Sequence, residues 1–169
     1  NKNFNSYYLP ICLILVLSFT RLIPHPWNFT PILAAGIFLG FYFKNFFISF
    51  FIIIFSMFLA DIFIGFHKTM FFTYISLSLA VLLGLYIKKF KFVEIIFSGL
   101  ISSICFFIIT NFGAWMVLEM YEKNLSGLIN SYILAIPFFH NTLISTLLYL
   151  LLLKIIFDSI LSKKRLVRN

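Results

Sequence analysis

From Tyr7 to Phe157 the chain is a succession of apolar runs, parted only by short breaks at Arg21 to Pro31, Lys44-Asn45, His67-Lys68, Lys88 to Lys91 and Glu119 to Gly127. The hydrocarbon core of a bilayer is roughly 30 Å thick and takes about 20 apolar residues to cross as a helix. Backbone in that medium must satisfy its own hydrogen bonds, so each run reads as a helix. Charged residues make up 11% of the chain and hydrophobic ones 62%, where soluble domains carry about a quarter charged. The expected fold is all-α, a polytopic membrane protein with about six transmembrane helices in one bundle, forming a single domain over residues 1–169.

The first break constrains the chain most. Arg21 to Pro31 reads R-L-I-P-H-P-W-N-F-T-P, and proline fixes φ and removes a backbone donor, so this is a stiff polar loop at the end of a span. The spans on either side are expected at about 7–23, 31–43, 46–66, 69–87, 92–118 and 138–157, with a solvated tail over 158–169. The second, at 13 residues, rises only about 20 Å. Pro137 divides the last apolar stretch, leaving a short interfacial or re-entrant piece from Leu128 to Ile136. The first run has no small-residue cleavage site before Arg21 and is read as a retained span.

Net charge is +8, yet the basic residues sit between apolar runs and act as topology signals, not as a nucleic-acid surface. Six spans with the N-terminus inside put Lys2, Lys44, Lys88, Lys89, Lys91, Lys154, Lys163, Lys164, Arg165 and Arg168 on the inner face. Arg21, Lys68 and Lys123 face outward. Both termini are therefore expected in the cytoplasm, in an inner (plasma) membrane. The abundant phenylalanines read as lipid-facing filler, and Cys12 and Cys105 as isolated residues with no metal or disulfide spacing.

That topology gathers the unusual polar residues, Arg21, His25, Trp27, Asn28, Asp61, His67, Asn111, Trp115, Glu119, His140 and Asn141, on the outer half. Asp61 lies about 9 Å below the outer end of its helix, where an acid costs about 2.5 to 3.5 kcal/mol and needs a partner or a cavity. A structural ion pair or helix cap, with Arg21 as candidate partner, and a ligand contact or cation site are the two readings. Asn111, Trp115 and Glu119 are spaced i, i+4, i+8 along one helical face. The histidines and acids have the right donors for a metal, but no HxxxH or HExxH spacing holds two of them together, and no nucleophile-base motif is found. Gly36 and Gly40 form G-x-x-x-G, suited to close packing inside the fold or against a partner.

The loop at 21–31, with A-D at 60–61, N-F-G-A-W at 111–115 and A-I-P-F-F-H-N-T-L at 135–143, resembles a family of small, functionally uncharacterised bacterial membrane proteins with an RxxPHPxNFTP loop. That family more typically has proline where Trp27 stands. More distantly, the size, six-span layout and outward polar cluster resemble the substrate-binding S components of energy-coupling-factor vitamin transporters. That likeness implies capture of a small polar or vitamin-like ligand near the outer face. It also implies a separate transmembrane coupling subunit with ATPases, and no chemistry by this chain alone. S components often dock through an A-x-x-x-A patch on the first helix, for which Gly36 and Gly40 are the nearest substitute here.

Under the capture reading Arg21 and His25 anchor the ligand, Asp61 and Asn111 hydrogen-bond it, Trp115 stacks on it, and residues 21–30 close over it. Neither cofactor nor resident metal is expected. The alternatives are a metal-dependent membrane enzyme using His25, Asp61, His67 and His140, and an accessory subunit of a membrane complex.

Overall fold

A computed structural model describes residues 4–166, with side chains over 10–159. It is all-helical: α1 (Phe4–Leu22), α2 (Ile32–Phe43), α3 (Phe46–Ile64), α4 (Met70–Tyr86), α5 (Phe92–Val117) and α6 (Leu125–Leu166). Three of these, Phe46–Ile64, Phe92–Val117 and Leu125–Ser159, are long and apolar enough to cross a membrane. Three further apolar helices, Pro10–Leu22, Ile32–Phe43 and Met70–Tyr86, are shorter. Large side chains such as Phe19, Phe47, Phe63, Phe71 and Phe97 stand exposed on the outside of the bundle, as lipid-facing residues do. The chain is a membrane protein. Lys2 and Arg168 lie outside the described residues, as do the side chains of Lys163, Lys164 and Arg165.

The short helix α2 is the hub, packed against α3, α4, α5 and α6, while α1 lies along α3. Small residues make this possible. A Cβ on Gly40 would meet the Val81 carbonyl oxygen at 2.2 Å, and one on Gly84 would meet the Ile37 carbonyl oxygen at 2.0 Å. The α2 and α4 backbones thus touch, as small residues allow in membranes. Gly36 and Gly40 are buried in this interface, so they serve internal packing and are not free to dock a partner.

Local signals set the ends. Lys44 adopts a left-handed conformation at φ 50°, ending α2, and the next residue, Asn45, caps α3 by accepting from the Ile48 N–H at 3.1 Å. Asn124 caps α6 by accepting from the Gly127 N–H at 2.8 Å.

The expected division at Pro137 does not occur. α6 runs unbroken from Leu125 to Leu166 with Pro137 inside it, so there is no separate re-entrant piece, and the helix continues past residue 158. Breaking a helix within lipid would orphan several donors and acceptors at once, whereas proline removes a single donor.

At the end of the bundle holding Lys44 and Lys88 to Lys91, Phe38 and Phe41 of α2 meet Phe90, between α4 and α5, and Phe157 of α6, with Phe41 and Phe90 stacked at 4.7 Å between centroids. These rings are packed inside, not lipid filler. Lys154 donates to the Phe90 carbonyl oxygen at 2.9 Å and Lys44 to the Leu85 carbonyl oxygen at 3.0 Å, fastening this end shut.

Candidate functional site

The opposite end is open. A cavity of about 890 Å³ sinks between the C-terminus of α1, the 23–31 loop, the N-termini of α2 and α4, and the facing sides of α3, α5 and α6. Its rim carries Arg21, His25, Trp27 and His67; its wall reaches Met57, Leu77, Phe106 and Thr146 deep in the bundle.

The 23–31 loop does not simply cross the surface. Three consecutive residues engage successive turns of α6. Asn141 donates to the Trp27 carbonyl oxygen at 2.9 Å, the Ser145 hydroxyl, shared with the Thr142 carbonyl oxygen at 3.1 Å, reaches the Asn28 carbonyl oxygen at 3.5 Å, and the Phe29 ring packs edge-on against Tyr149 at 6.3 Å. Positions 141, 145 and 149 share a helix face and span about 12 Å along it, so the chain descends into the bundle before α2 begins. This explains why α2 needs only 12 residues. Asn28 makes the turn at φ 60°, a left-handed conformation that asparagine tolerates better than most residues.

Behind the cavity wall stands a buried polar node. Asp61, fully buried, accepts from Arg21 Nη1 at 2.6 Å and from the Tyr74 hydroxyl at 2.8 Å. Arg21 also reaches the Met57 carbonyl oxygen at 3.5 Å. The carboxylate therefore serves Arg21 and Tyr74 and does not line the cavity, while Arg21, 17% exposed, does.

Other expected contacts separate. Asn111 lines the cavity, with Nδ2 donating to the Phe107 carbonyl oxygen one turn earlier at 2.7 Å. Trp115 lies off the cavity, its Nε1 donating to the Glu122 carbonyl oxygen at 3.0 Å and its ring beside Phe112. Glu119 leaves the shared helical face altogether, because α5 ends at Val117 with Leu118 extended; it is 92% exposed and pairs with Lys68 at 3.2 Å. His25 and His67 line the rim, their Nδ1 atoms paired with the Ile23 carbonyl oxygen at 2.6 Å and the Thr69 hydroxyl at 2.9 Å. His140 is exposed beside Phe139, off the cavity, and Asn141 acts as the loop latch. Gly113 leaves room for the Phe72 ring of α4, not for a ligand.

A family model described as "Family of unknown function (DUF6580)" matches residues 1–167. The chain belongs to this family. No curated protein and no solved structure matches it.

In this DUF6580 chain, the wall is rich in residues that polarity alone does not single out: Thr73, Thr110, Thr142, Ser145 and Thr146. Most such hydroxyls in helices bond the carbonyl three or four residues back, as Thr142 does to Phe138 and Ser145 to Thr142. Thr146 is different. It is fully buried and its hydroxyl has no partner. The spacing 142, 145, 146 on one face of an apolar helix is the one trace these three leave in the sequence, and it does not tell a paired hydroxyl from an unpaired one. Among the described residues no three His, Cys, Asp or Glu side chains come together to hold a metal.

Proposed function

We propose that this protein captures a small organic ligand in the cavity from the outer face of an inner (plasma) membrane, in the manner of an energy-coupling-factor S component. The carrying observation is the cavity itself. At about 890 Å³ it falls in the range of pockets that enclose drug-sized or cofactor-sized molecules. Its wall is mostly apolar with dispersed polar groups, and the far end is sealed by packed aromatic rings. Lys44, Lys88, Lys89 and Lys91 belong to the sealed end, which the positive-inside rule makes cytoplasmic, with both termini. The open end then faces out.

In this reading Arg21, His25, Trp27, Asn28, His67 and Asn111 meet the ligand. Asp61 holds Arg21 in place, and Asn141 holds the loop that forms one wall. The chain has no nucleotide loop, so energised uptake belongs to a transmembrane coupling subunit with ATPases. With Gly36 and Gly40 buried, that subunit docks elsewhere, on the lipid-facing helices. The metal-dependent alternative has no ligand set to rest on, since His140 lies off the cavity and Asp61 is engaged by Arg21 and Tyr74.

Native mass spectrometry of protein gently purified from its own host tests this. The expected result is a bound organic molecule, absent from an Ala114→Trp variant that fills the cavity and keeps its thermal stability. Wild-type protein free of any small molecule, or an adduct unchanged in Ala114→Trp, contradicts it.

A further inference from the structure

We infer that the ligand is an organic oxyanion whose acidic group sits at the N-terminus of α2, against the first-turn N–H groups of Ile32 and Leu33 and the hydroxyl of Thr146. This rests on the capture reading above and adds the ligand's charge and its pose.

The first turn of any helix leaves N–H groups without an intrahelical acceptor, and a capping side chain usually takes one of them. α2 has no such cap. Its N-cap residue is Pro31, which makes no side-chain hydrogen bond, and the first N–H of this region to find an acceptor is that of Ala35, on the Pro31 carbonyl oxygen at 2.8 Å. The donors ahead of it belong to residues that are almost wholly buried: Ile32 at 3%, Leu33 at 4% and Ala34 at 0% exposure. A helix start on a protein's surface meets water freely; this one lies within the bundle, reached by the descending loop. Thr30, Ile32 and Leu33 line the cavity, so the positive end of the helix dipole is part of its wall.

Thr146 supplies the independent observation. On the facing helix it lines the same cavity, fully buried, with a hydroxyl that bonds to nothing. A buried unpaired hydroxyl is costly, and this one and the α2 donors have a common remedy, an acceptor-rich group in the cavity.

Charge selects the sign. No aspartate or glutamate lines the cavity, while Arg21, His25 and His67 do. Arg21 is held by Asp61 and the Met57 carbonyl, which fixes a guanidinium in the wall before any ligand arrives. A cation would face the positive helix end and the Arg21 guanidinium, whose counter-charge, Asp61, lies behind the wall and out of its reach. An oxyanion meets backbone donors, a hydroxyl and a guanidinium, the arrangement by which helix N-termini bind anionic groups. The apolar wall of Leu22, Ile23, Met57, Leu77 and Phe106 takes the rest of the molecule.

Equilibrium dialysis of the purified protein in neutral detergent, with 2-naphthoate, 2-naphthyl phosphate and the uncharged 2-naphthamide as probes, tests this on wild type, Thr146→Val and Ala114→Trp. We expect at least one anion to bind roughly tenfold more tightly than the amide, the step of a hydrogen bond to a charged group. Thr146→Val should weaken the anion by a similar factor and leave the amide unchanged, and the tighter of the two anions names the head group. Binding of the amide as tight as both anions, or anion binding untouched by Thr146→Val, overturns the oxyanion inference while leaving capture standing, provided Ala114→Trp abolishes it. Saturable binding of none of the three removes the capture reading as well.

Discussion

At the scale of single residues, the chain separates polar groups that hold the fold from those left without a partner. Asp61 belongs to the first kind. Removing one partner of a buried ion pair strands the other, typically costing about 3 to 5 kcal/mol, whereas replacing both with apolar groups is close to neutral. Asp61→Ala should therefore destabilise the protein in detergent unfolding by about 3 to 5 kcal/mol, and Asp61→Leu with Arg21→Met should recover most of it. A single-variant cost below about 1 kcal/mol, the range of exposed pairs, would mean that the pair is not sealed from water. Thr146 belongs to the second kind. With no partner to lose, Thr146→Val should leave stability unchanged within about 1 kcal/mol or raise it. Asp61 was legible in the sequence because an acid within an apolar run demands an explanation, and Arg21 was its nearest candidate partner. Tyr74 was not, since a tyrosine in a membrane helix has many ordinary reasons to be there. Thr146 was illegible for a similar reason: whether a helical hydroxyl finds a carbonyl is settled by its rotamer and neighbours.

At the scale of elements, α2 and the loop before it form one device. The loop's proline content marked it as irregular, and the shortness of α2 was visible as a 13-residue run. What could not be read was that the two facts explain each other, because the descent depends on contacts to α6 more than a hundred residues away. If Asn141 and Ser145 hold the loop down, Asn141→Ala with Ser145→Ala should speed amide hydrogen exchange at Asn28 and Phe29 by roughly tenfold, about the worth of one or two hydrogen bonds. Exchange at the buried α2 amides from Ala35 onward should stay unchanged, and equal acceleration along α2 would show that the loop is not a separate unit. Gly84 is the complementary case. A Gly84→Leu side chain would push directly into the Ile37 carbonyl, so unfolding should come easier by about 3 kcal/mol or more, while the lipid-facing Phe97→Leu should do almost nothing. Pro137 misled for a physical reason, because its rule as a helix breaker comes from water, where freed backbone groups find solvent.

At the scale of the whole molecule, the two ends of the bundle are built differently. Lys44 and Lys154 lock one end over stacked phenylalanines, and the other opens into the cavity through a rim of Arg21, His25, Trp27 and His67. The alternation of apolar runs with basic breaks was enough to place the polar residues at one end. It was not enough to separate those facing the cavity from those behind it or outside it, as Asp61, Trp115 and His140 show. Cysteine accessibility in intact cells reads the direction of the opening most directly. Single cysteines at positions 25, 73, 110, 41 and 90, in a background without Cys12 and Cys105, would be challenged with a membrane-impermeant maleimide from outside. An outward-opening cavity predicts labelling at 25, 73 and 110, suppression of 73 and 110 by Ala114→Trp, and none at 41 or 90. Labelling at 41 or 90 from outside, with 73 and 110 silent, would contradict it.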